Sequence, residues 1–528
     1  MPGPLEARRA VVWCVLLALP LLIARTTLLG LADPSEARYG QICREMAESG
    51  DWVVPTWLGI PHLEKPPLAY WSGALGIRLF GRSELPARLG ALVALVASAI
   101  WTAGIARRVA GQGAAVPAAL AMLLAPFPVM AGAACHTDPF LLAATTLFYH
   151  AVFRRLYDAA PRALDVAALA LALGILAKGH MILLFTVVPL AFARTGIFRE
   201  LWRAGRVVLL LAIVAPWFAV IETRFPGFFR QQASALVGRA TGSGHRAPMT
   251  IYAVALGVGL LPFVIFAPRG VLRVERRDRR VLLLWLLLPL AVLSAAQSRL
   301  WTYILSGVPP VAILAGARLA VVPRSAARWP GLLLLACGAA LVVASASGAP
   351  ASARALLPVA GPLGVAVLLC GSWVWAARPL PRAVVAAGAS TIVLAGVVTA
   401  AYLHEEVFRV HRTFARDVAD LAARTGSPVV LAGMSLPSMG FYSEAPVRIA
   451  GESGPLAREA EAWGKSPLFT PETDLKELLA TDRRSVIVVK DKVRLALAPH
   501  RVPLESPRAG ELVVLGPDPE AEPVGPVR

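Results

Sequence analysis

The densest concentration of carboxylates, cations and aromatic rings lies between Asp33 and Trp71, in the stretch DPSEARYGQICREMAESGDWVVPTWLGIPHLEKPPLAYW. It opens with Asp33-Pro34-Ser35-Glu36, which reads in two ways. Asp33 as N-cap, Pro34 at the first helical position and Glu36 at the third make a capping-box arrangement. The helix would then run to about Ser49, with Gly50 just past its end. The same arrangement also holds two carboxylates at a helix start near the membrane surface, with Arg38 and Tyr39 on the same turn. Further on, His62-Leu63-Glu64-Lys65-Pro66-Pro67 fixes a carboxylate and an ammonium close together on a backbone stiffened by two prolines. Such a pair suits a metal ion and a phosphate oxyanion. Its structural alternative is an interfacial loop whose Tyr70 and Trp71 belong to an aromatic belt.

Smaller polar groups recur between apolar runs. His136-Thr137-Asp138-Pro139 makes a tight loop, in which Asp138 is either a reactive carboxylate or another N-cap. Lys178-Gly179-His180 joins two apolar segments, where a lysine can simply snorkel. Ser298-Arg299-Leu300-Trp301-Thr302-Tyr303 leads into a further one, and arginine and tyrosine are common interfacial anchors. The 222–249 loop carries Arg224, Arg230, Arg239, His245 and Arg246 with few acids to balance them. His245 is either structural or a metal ligand.

The elements that must position these groups are membrane helices. The chain of 528 residues is 57% hydrophobic and 16% charged, with a mean hydropathy of +0.64. A soluble chain carries about 25% charged residues, so the deficit and the repeated apolar runs indicate a polytopic α-helical membrane protein. About thirteen transmembrane helices are expected, at 10–31, 86–106, 114–133, 140–153, 164–177, 180–193, 207–221, 250–268, 281–297, 303–317, 330–347, 356–376 and 383–403. The first could be a signal peptide. Its length and the many spans that follow favour a retained helix.

The formal charge of +19 does not imply nucleic-acid binding, because the arginines occupy short loops and no binding motif accompanies them. Twenty-two arginines fall in short segments on one side of these spans, against Lys178, Arg299 and Arg354 on the other. The positive-inside rule then makes the N-terminus cytoplasmic. The first external loop (32–85), the 222–249 loop and the tail face outward. Of the five cysteines, Cys14, Cys337 and Cys370 sit in apolar runs. None has metal-type spacing to another, and a Cys43–Cys135 bridge stays open.

Residues 1–403 are therefore read as a transmembrane domain and 404–528 as a small extracytoplasmic α/β domain. In the latter, Val407, Val410, Phe414, Val418 and Leu421 recur at helical spacing ahead of Gly426. Short β-like runs follow at Val429–Ala432, Val447–Ala450, Val486–Lys490 and Leu512–Leu515, with a helix at Asp474–Ala480 before the third. The last dozen residues have a disordered composition.

The order D-P-S-E-A-R-Y, R-E-M-x-x-S-G-D-W-V-V-P and E-K-P-P-L-x-Y-W resembles the bacterial lipid-linked-sugar glycosyltransferases. That family includes the protein O-mannosyltransferases and the lipid A aminoarabinose transferases. The segments T-D-P-F-L-L-A, L-A-K-G, A-P-W-F and S-R-L-W-T-Y-I-L are similar to it in order and spacing, and the resemblance covers roughly residues 10–320. It implies a GT-C-type fold, an active site at the outer face of a bacterial inner membrane, and a sugar donor carried on polyprenyl phosphate. Many members carry Asp where this chain has Ser35, which leaves the base between Asp33 and Glu36. The resemblance makes Glu64 and His245 ligands of a divalent metal (zinc, magnesium or manganese) and puts Lys65 at the lipid phosphate. His62 stands where members often have tyrosine. Tyr303 matches a tyrosine near the carrier phosphate, and Asp138 a polar residue of the second external loop. Arg38, Tyr39, Lys178 and Arg299 complete the expected substrate-binding set.

The chemistry is physically consistent. A lipid phosphate needs charge stabilisation more than protonation as it leaves, and an acceptor hydroxyl needs a carboxylate within hydrogen-bond reach. Single displacement with inversion would follow, with lipid A, a glycan or a protein as extracytoplasmic acceptor. No Rossmann glycine motif calls for a nucleotide cofactor. The competing reading is a transporter or lipid flippase, which predicts repeats and charges near the bilayer midplane. The sequence has no obvious repeat. A membrane-anchored structural protein would leave the 33–71 motif unexplained.

Overall fold

A computed structural model of the chain describes residues 4–241, 247–321, 411–444, 446–453, 455–464, 466–470, 473–497, 503–504 and 511–517, with isolated helical positions between 335 and 398. The expected spans at 330–347, 356–376 and 383–403, the residues Val407 and Val410, and the last dozen residues lie outside that set. The chain forms two compact units. One comprises Met1–Leu28, Glu64–Ala69 and Arg88–Leu403; the other comprises Leu29–Leu63, Tyr70–Ala87 and His404–Arg528.

The first unit is helical, in chain order α1 (Pro4–Leu28) and, beyond α2 (Ser35–Ser49) and α3 (Leu68–Phe80), α4 (Glu84–Ala110), α5 (Ala115–Leu124), α6 (Pro126–Gly132), α7 (Asp138–Tyr157) and α8 (Ala163–Lys178). It continues with α9 (Met181–Phe185), α10 (Val187–Ala193), α11 (Ile197–Leu201), α12 (Ala204–Arg224), α13 (Phe228–Thr241), α14 (Ile251–Gly257), α15 (Ala267–Gly270), α16 (Arg276–Ala295) and α17 (Val308–Leu319). Among the described residues, Leu5–Leu28, Glu84–Ala110, Ala204–Arg224 and Trp301–Leu319 are long and apolar enough to cross a membrane. The pair Gln112–Leu124 and Pro126–Gly132 makes a fifth span if counted as one, bent by 58°. Its cause is local: Pro126 has no N–H to continue the ladder, and Ala125 before it is extended at ψ 140°. Of the other spans expected between 140 and 297, 140–153, 164–177, 180–193 and 281–297 fall on α7, α8, α9–α10 and α16, which do not meet that length and apolarity; 250–268 is broken into α14, a 3-10 stretch at Phe263–Phe266 and α15.

Buried cations inside this bundle are satisfied by helix ends. Arg25 in α1 donates to the carbonyls of Ala133 (2.9 Å) and Met130 (2.8 Å), at the C-terminal end of α6. Arg88, fully buried, donates to the carbonyl of Thr26 at 3.0 Å. Both guanidinium groups meet the partial negative charge of C-terminal carbonyls, which removes the penalty of burying them bare.

The second unit is built around a mixed sheet. Its strands are β3 (Val429–Ala432), β4 (Val447–Ala450), β5 (Phe469–Thr470), β6 (Val486–Lys490) and β7 (Leu512–Leu515), in spatial order β5-β4-β3-β6-β7. All neighbours are parallel except β6–β7. Four strands match the β-like runs of the sequence, whereas two-residue β5 is too short to leave a pattern. The helices α18 (Arg412–Thr425), α19 (Pro437–Tyr442), α20 (Pro455–Trp463), α21 (Leu475–Thr481) and α22 (Asp491–Leu497) connect them. Alternation divides the core: Val430, Ala432, Ile487, Val489, Val513 and Leu515 share one face with Leu479 of α21. Helix α18, with Phe414, Val418 and Ala422 buried, packs against β3 and β6.

The 29–63 and 70–87 segments belong to this same unit. They contain α2 (Ser35–Ser49), the hairpin strands β1 (Thr56–Trp57) and β2 (Ile60–Pro61), and most of α3 (Leu68–Phe80). Helix α2 ends as the sequence indicates: Gly50 is left-handed (φ 72°) and its N–H returns to the Met46 carbonyl. Helices α2 and α19 approach closely because glycines face the contact. A Cβ on Gly440 would lie 2.8 Å from the Gln41 carboxamide, and one on Gly40 3.3 Å from the Phe441 ring. Cys43 and Cys135 are both free thiols, so the bridge left open by the sequence is not formed.

Candidate active site

In the second unit, the start of α2 does not follow the capping-box expectation. The cap position is Pro34, in a helical conformation and with no side-chain cap. Glu36, only 4% exposed, turns back to accept the Ala32 N–H through Oε2 at 3.2 Å. Asp33 instead accepts the backbone N–H of Ser438 at 3.0 Å. Ser438 is the second residue of α19, whose own cap residue Leu436 offers no side chain. A carboxylate 405 positions away thus satisfies an orphan donor of α19. Asp33 is partly exposed as a residue, but its Oδ2 is buried with no hydrogen-bond partner. Burial pushes its pKa up to about 7, against the lowering effect of the Ser438 bonds.

An aromatic cluster follows from the same helix. Tyr39 stacks on Tyr70 with ring centroids 5.2 Å apart, and His62 meets Tyr70 edge-on at 6.1 Å. The Arg38 guanidinium lies 5.4 Å from the Trp57 ring centroid, a cation–π geometry. Three of the expected substrate-binding residues, Arg38, Tyr39 and His62, are therefore brought together through Trp57 and Tyr70. His62 is fully buried, and its Nδ1 lies 2.7 Å from Oε1 of Glu459 in α20. The pair lacks hydrogen-bond alignment, and His62 Nε2 and Glu459 Oε2 are buried without hydrogen-bond partners. An imidazole and a carboxylate with orphaned donor atoms suit a divalent cation of the zinc or manganese kind. Magnesium, which prefers oxygen and water, suits them less. His245 lies outside the described residues. Glu64 and Lys65 occupy the bend that leads into α3.

Glu45 holds the hairpin in place. Its Oε1 accepts from Gln41 Nε2 (2.9 Å) and the Leu58 N–H (2.7 Å), and its Oε2 from Thr56 Oγ1 (2.8 Å) and the Gly59 N–H (3.1 Å). Leu58 and Gly59 both have positive φ, 54° and 73°, as the twist of a two-residue hairpin demands. Burial raises the Glu45 pKa, with the bonds from Gly59, Gln41, Leu58 and Thr56 opposing it. Sequence reasoning passed over Glu45, Glu459, Trp57 and Ser438. Only the R-E-M segment and the tryptophan's place in a polar loop hinted at any of them.

The first unit gathers a second set. Lys178 at the end of α8 makes a buried ion pair with Asp138 at the start of α7; both are under one-tenth exposed. Thr302 Oγ1 donates to the other Asp138 oxygen at 3.3 Å. The Lys178 ammonium sits 4.5 Å from the Tyr303 ring centroid. Asp138, Lys178 and Tyr303, expected separately, are thus one cluster. Arg299 spends its donors on backbone carbonyls, with Nε to Ser294 (3.1 Å) and Nη1 to Ala247 (3.0 Å).

These geometries define a polytopic α-helical membrane protein with a small α/β unit. Residues 64–219 match the family described as dolichyl-phosphate-mannose-protein mannosyltransferase. Over 306 residues the chain is 33% identical to undecaprenyl phosphate-alpha-4-amino-4-deoxy-L-arabinose arabinosyl transferase 1 of Pseudomonas fluorescens, covering 54% of this chain and 53% of that one. The corresponding Pseudomonas aeruginosa transferase is 32% identical over 341 residues, 60% and 61% of the two chains. These matches span little more than half the length of the curated relatives. The fold agreement is longer: ArnT from Cupriavidus metallidurans bound to undecaprenyl phosphate superposes with a TM-score of 0.80 at 25% identity, over 98% of this chain and 99% of that one. By fold the chain is of the GT-C type, and over about half its length it is similar in sequence to these arabinosyl transferases.

Proposed function

We propose that the protein is an integral-membrane glycosyltransferase of a bacterial inner membrane. It moves a sugar from a polyprenyl-phosphate donor to an extracytoplasmic acceptor, lipid A being the first choice, with inversion at the anomeric carbon. The observation that carries this reading is the near full-length likeness to a structure that holds undecaprenyl phosphate. Half-length identity to arabinosyl transferases supports the same chemistry.

Catalysis then divides into base and leaving-group work. Asp33 and Glu36 are the base candidates, and the group must be ionised to take the acceptor proton. Asp33, with a free buried oxygen and a pKa near 7, has the properties of a general base poised at working pH. Lys65 neutralises the departing lipid phosphate. Lys178, held by Asp138 beside Tyr303, places a second, oriented ammonium for the same work. Arg38, Tyr39 and His62 contribute to binding. Glu64 and His245 are the sequence-based ligands for a divalent metal, and His62 with Glu459 offers a further donor pair. A metal there would supply charge stabilisation to the phosphate. The N-terminus is cytoplasmic and residues 404–528 form the extracytoplasmic domain.

The test is transfer of radiolabelled sugar from polyprenyl phosphate to acceptors in membrane extract by the purified protein, with Asp33→Asn, Glu36→Gln and Lys65→Ala alongside. Transfer that Lys65→Ala abolishes, together with one of the two carboxylate changes, supports the reading and identifies the base. Transbilayer movement of the carrier without transfer would instead establish the flippase alternative.

A further inference from the structure

The first unit holds a cavity of about 540 Å³ that the site described above does not use. It lies between the N-terminal part of α1, the C-terminal ends of α4 and α7 and the start of α5. Arg107 in its wall is 19 residues from Arg88, about 28 Å along the same helix at 1.5 Å per residue. That distance matches the roughly 30 Å hydrocarbon core. The cavity therefore lies a hydrocarbon-core length from Arg88 along α4, and at the opposite end of α7 from Asp138.

Four arginines line it: Arg8, Arg107, Arg108 and Arg154. Among the lining residues Asp158 is the one carboxylate. It is committed to Arg108, whose Nη2 donates to it at 2.5 Å, with Arg154 4.0 Å away. Arg107 lies in the like-charge field of both Arg108 and Arg8. A topology signal needs its arginines only at the right end of a helix, in water. Guanidinium groups converging on one cavity repel one another, and an anion between them relieves that repulsion. The other wall is apolar, with Val12 54% and Ile100 45% exposed. Both stand on helices that qualify as membrane spans, so the cavity opens beside lipid-facing hydrocarbon.

We propose that this cavity binds an anionic phospholipid, its phosphate among Arg8, Arg107 and Arg154 and its acyl chain over Val12 and Ile100. The volume falls in the range of about 300–1,000 Å³ usual for small-molecule sites. Free phosphate shares the headgroup chemistry but would leave the apolar lip uncovered. The lipid acts as a structural ligand of the bundle end, and no residue of the proposed sugar-transfer chemistry takes part.

The test uses the full-length protein in phosphatidylcholine nanodiscs, with and without phosphatidylglycerol, and in detergent with inorganic phosphate. Retention is read by native mass spectrometry and melting by intrinsic fluorescence. Phosphatidylglycerol should be retained and should raise the melting temperature, while inorganic phosphate should do neither. Arg8→Ala/Arg107→Ala should weaken retention about tenfold, and Arg8→Lys/Arg107→Lys should keep most of it. Should the double alanine variant not fold, Arg107→Gln alone should show the same direction. Equal retention in wild type and the charge-removed variants would overturn the proposal. So would stabilisation by inorganic phosphate equal to that by the lipid.

Discussion

The Asp33 carboxylate accepts the backbone N–H of Ser438 at 3.0 Å and so caps a helix 405 positions away. That bond joins the reactive-looking motif of the first loop to the α/β fold of the tail, within one compact unit. It also leaves Asp33 Oδ2 buried and unbonded, with the carboxyl pushed up to about 7.

A pH dependence follows. The unfolded pKa is about 3.9, so the fold prefers the neutral acid. Its contribution to stability is full below about pH 4 and is lost as pH rises through about 7. In Asp33→Asn, the melting temperature should fall less than in wild type across that window. Transfer needs the ionised form if Asp33 is the base, so the rate should rise through about pH 7 and vanish in Asp33→Asn. A wild-type profile flat across that window would remove Asp33 as the base.

Lys178 and Asp138 make a buried ion pair. Removing one partner leaves the other charge uncompensated, at a cost of about 3–5 kcal/mol. Lys178→Met and Asp138→Asn should each lower the melting temperature strongly, and the double variant should lose less than their sum. A double-mutant cycle on purified protein measures this coupling; strict additivity would show that the pair does not interact energetically.

Glu45→Ala should cost about 2–3 kcal/mol, since it deprives the hairpin donors of a carboxylate acceptor. The loss should be local first. Amide exchange at Leu58 and Gly59 should accelerate in the variant before global melting changes, because their left-handed turn loses both of its Glu45 bonds.

Two glycines should behave oppositely. A Cβ on Gly76 would collide with the backbone carbonyl of Pro86, which cannot rotate away. Gly76→Ala should destabilise by about 1–3 kcal/mol. Gly205, near the start of α12, has open space around its Cβ position, so Gly205→Ala should be neutral or stabilising by up to about 1 kcal/mol. Melting curves of the two variants compare them directly.

The sequence by itself determined the features that hydrophobic periodicity and residue type encode locally. These are the membrane class, the spans that fall on α1, α4, α12 and the helical run ending at Leu319, the end of α2 at Gly50, and four of the five strands of the tail sheet. It also concentrated carboxylates, cations and aromatic rings in the 33–71 stretch. Tertiary structure alone decided which partners those residues take. Asp33 caps α19 rather than α2, His62 faces Glu459, and Asp138, Lys178 and Tyr303 form one cluster. Each of these is a contact between residues far apart in sequence. A buried carboxylate or imidazole must find whichever donor, acceptor or cation the packing of distant elements brings near, and that choice leaves no periodic trace in the chain.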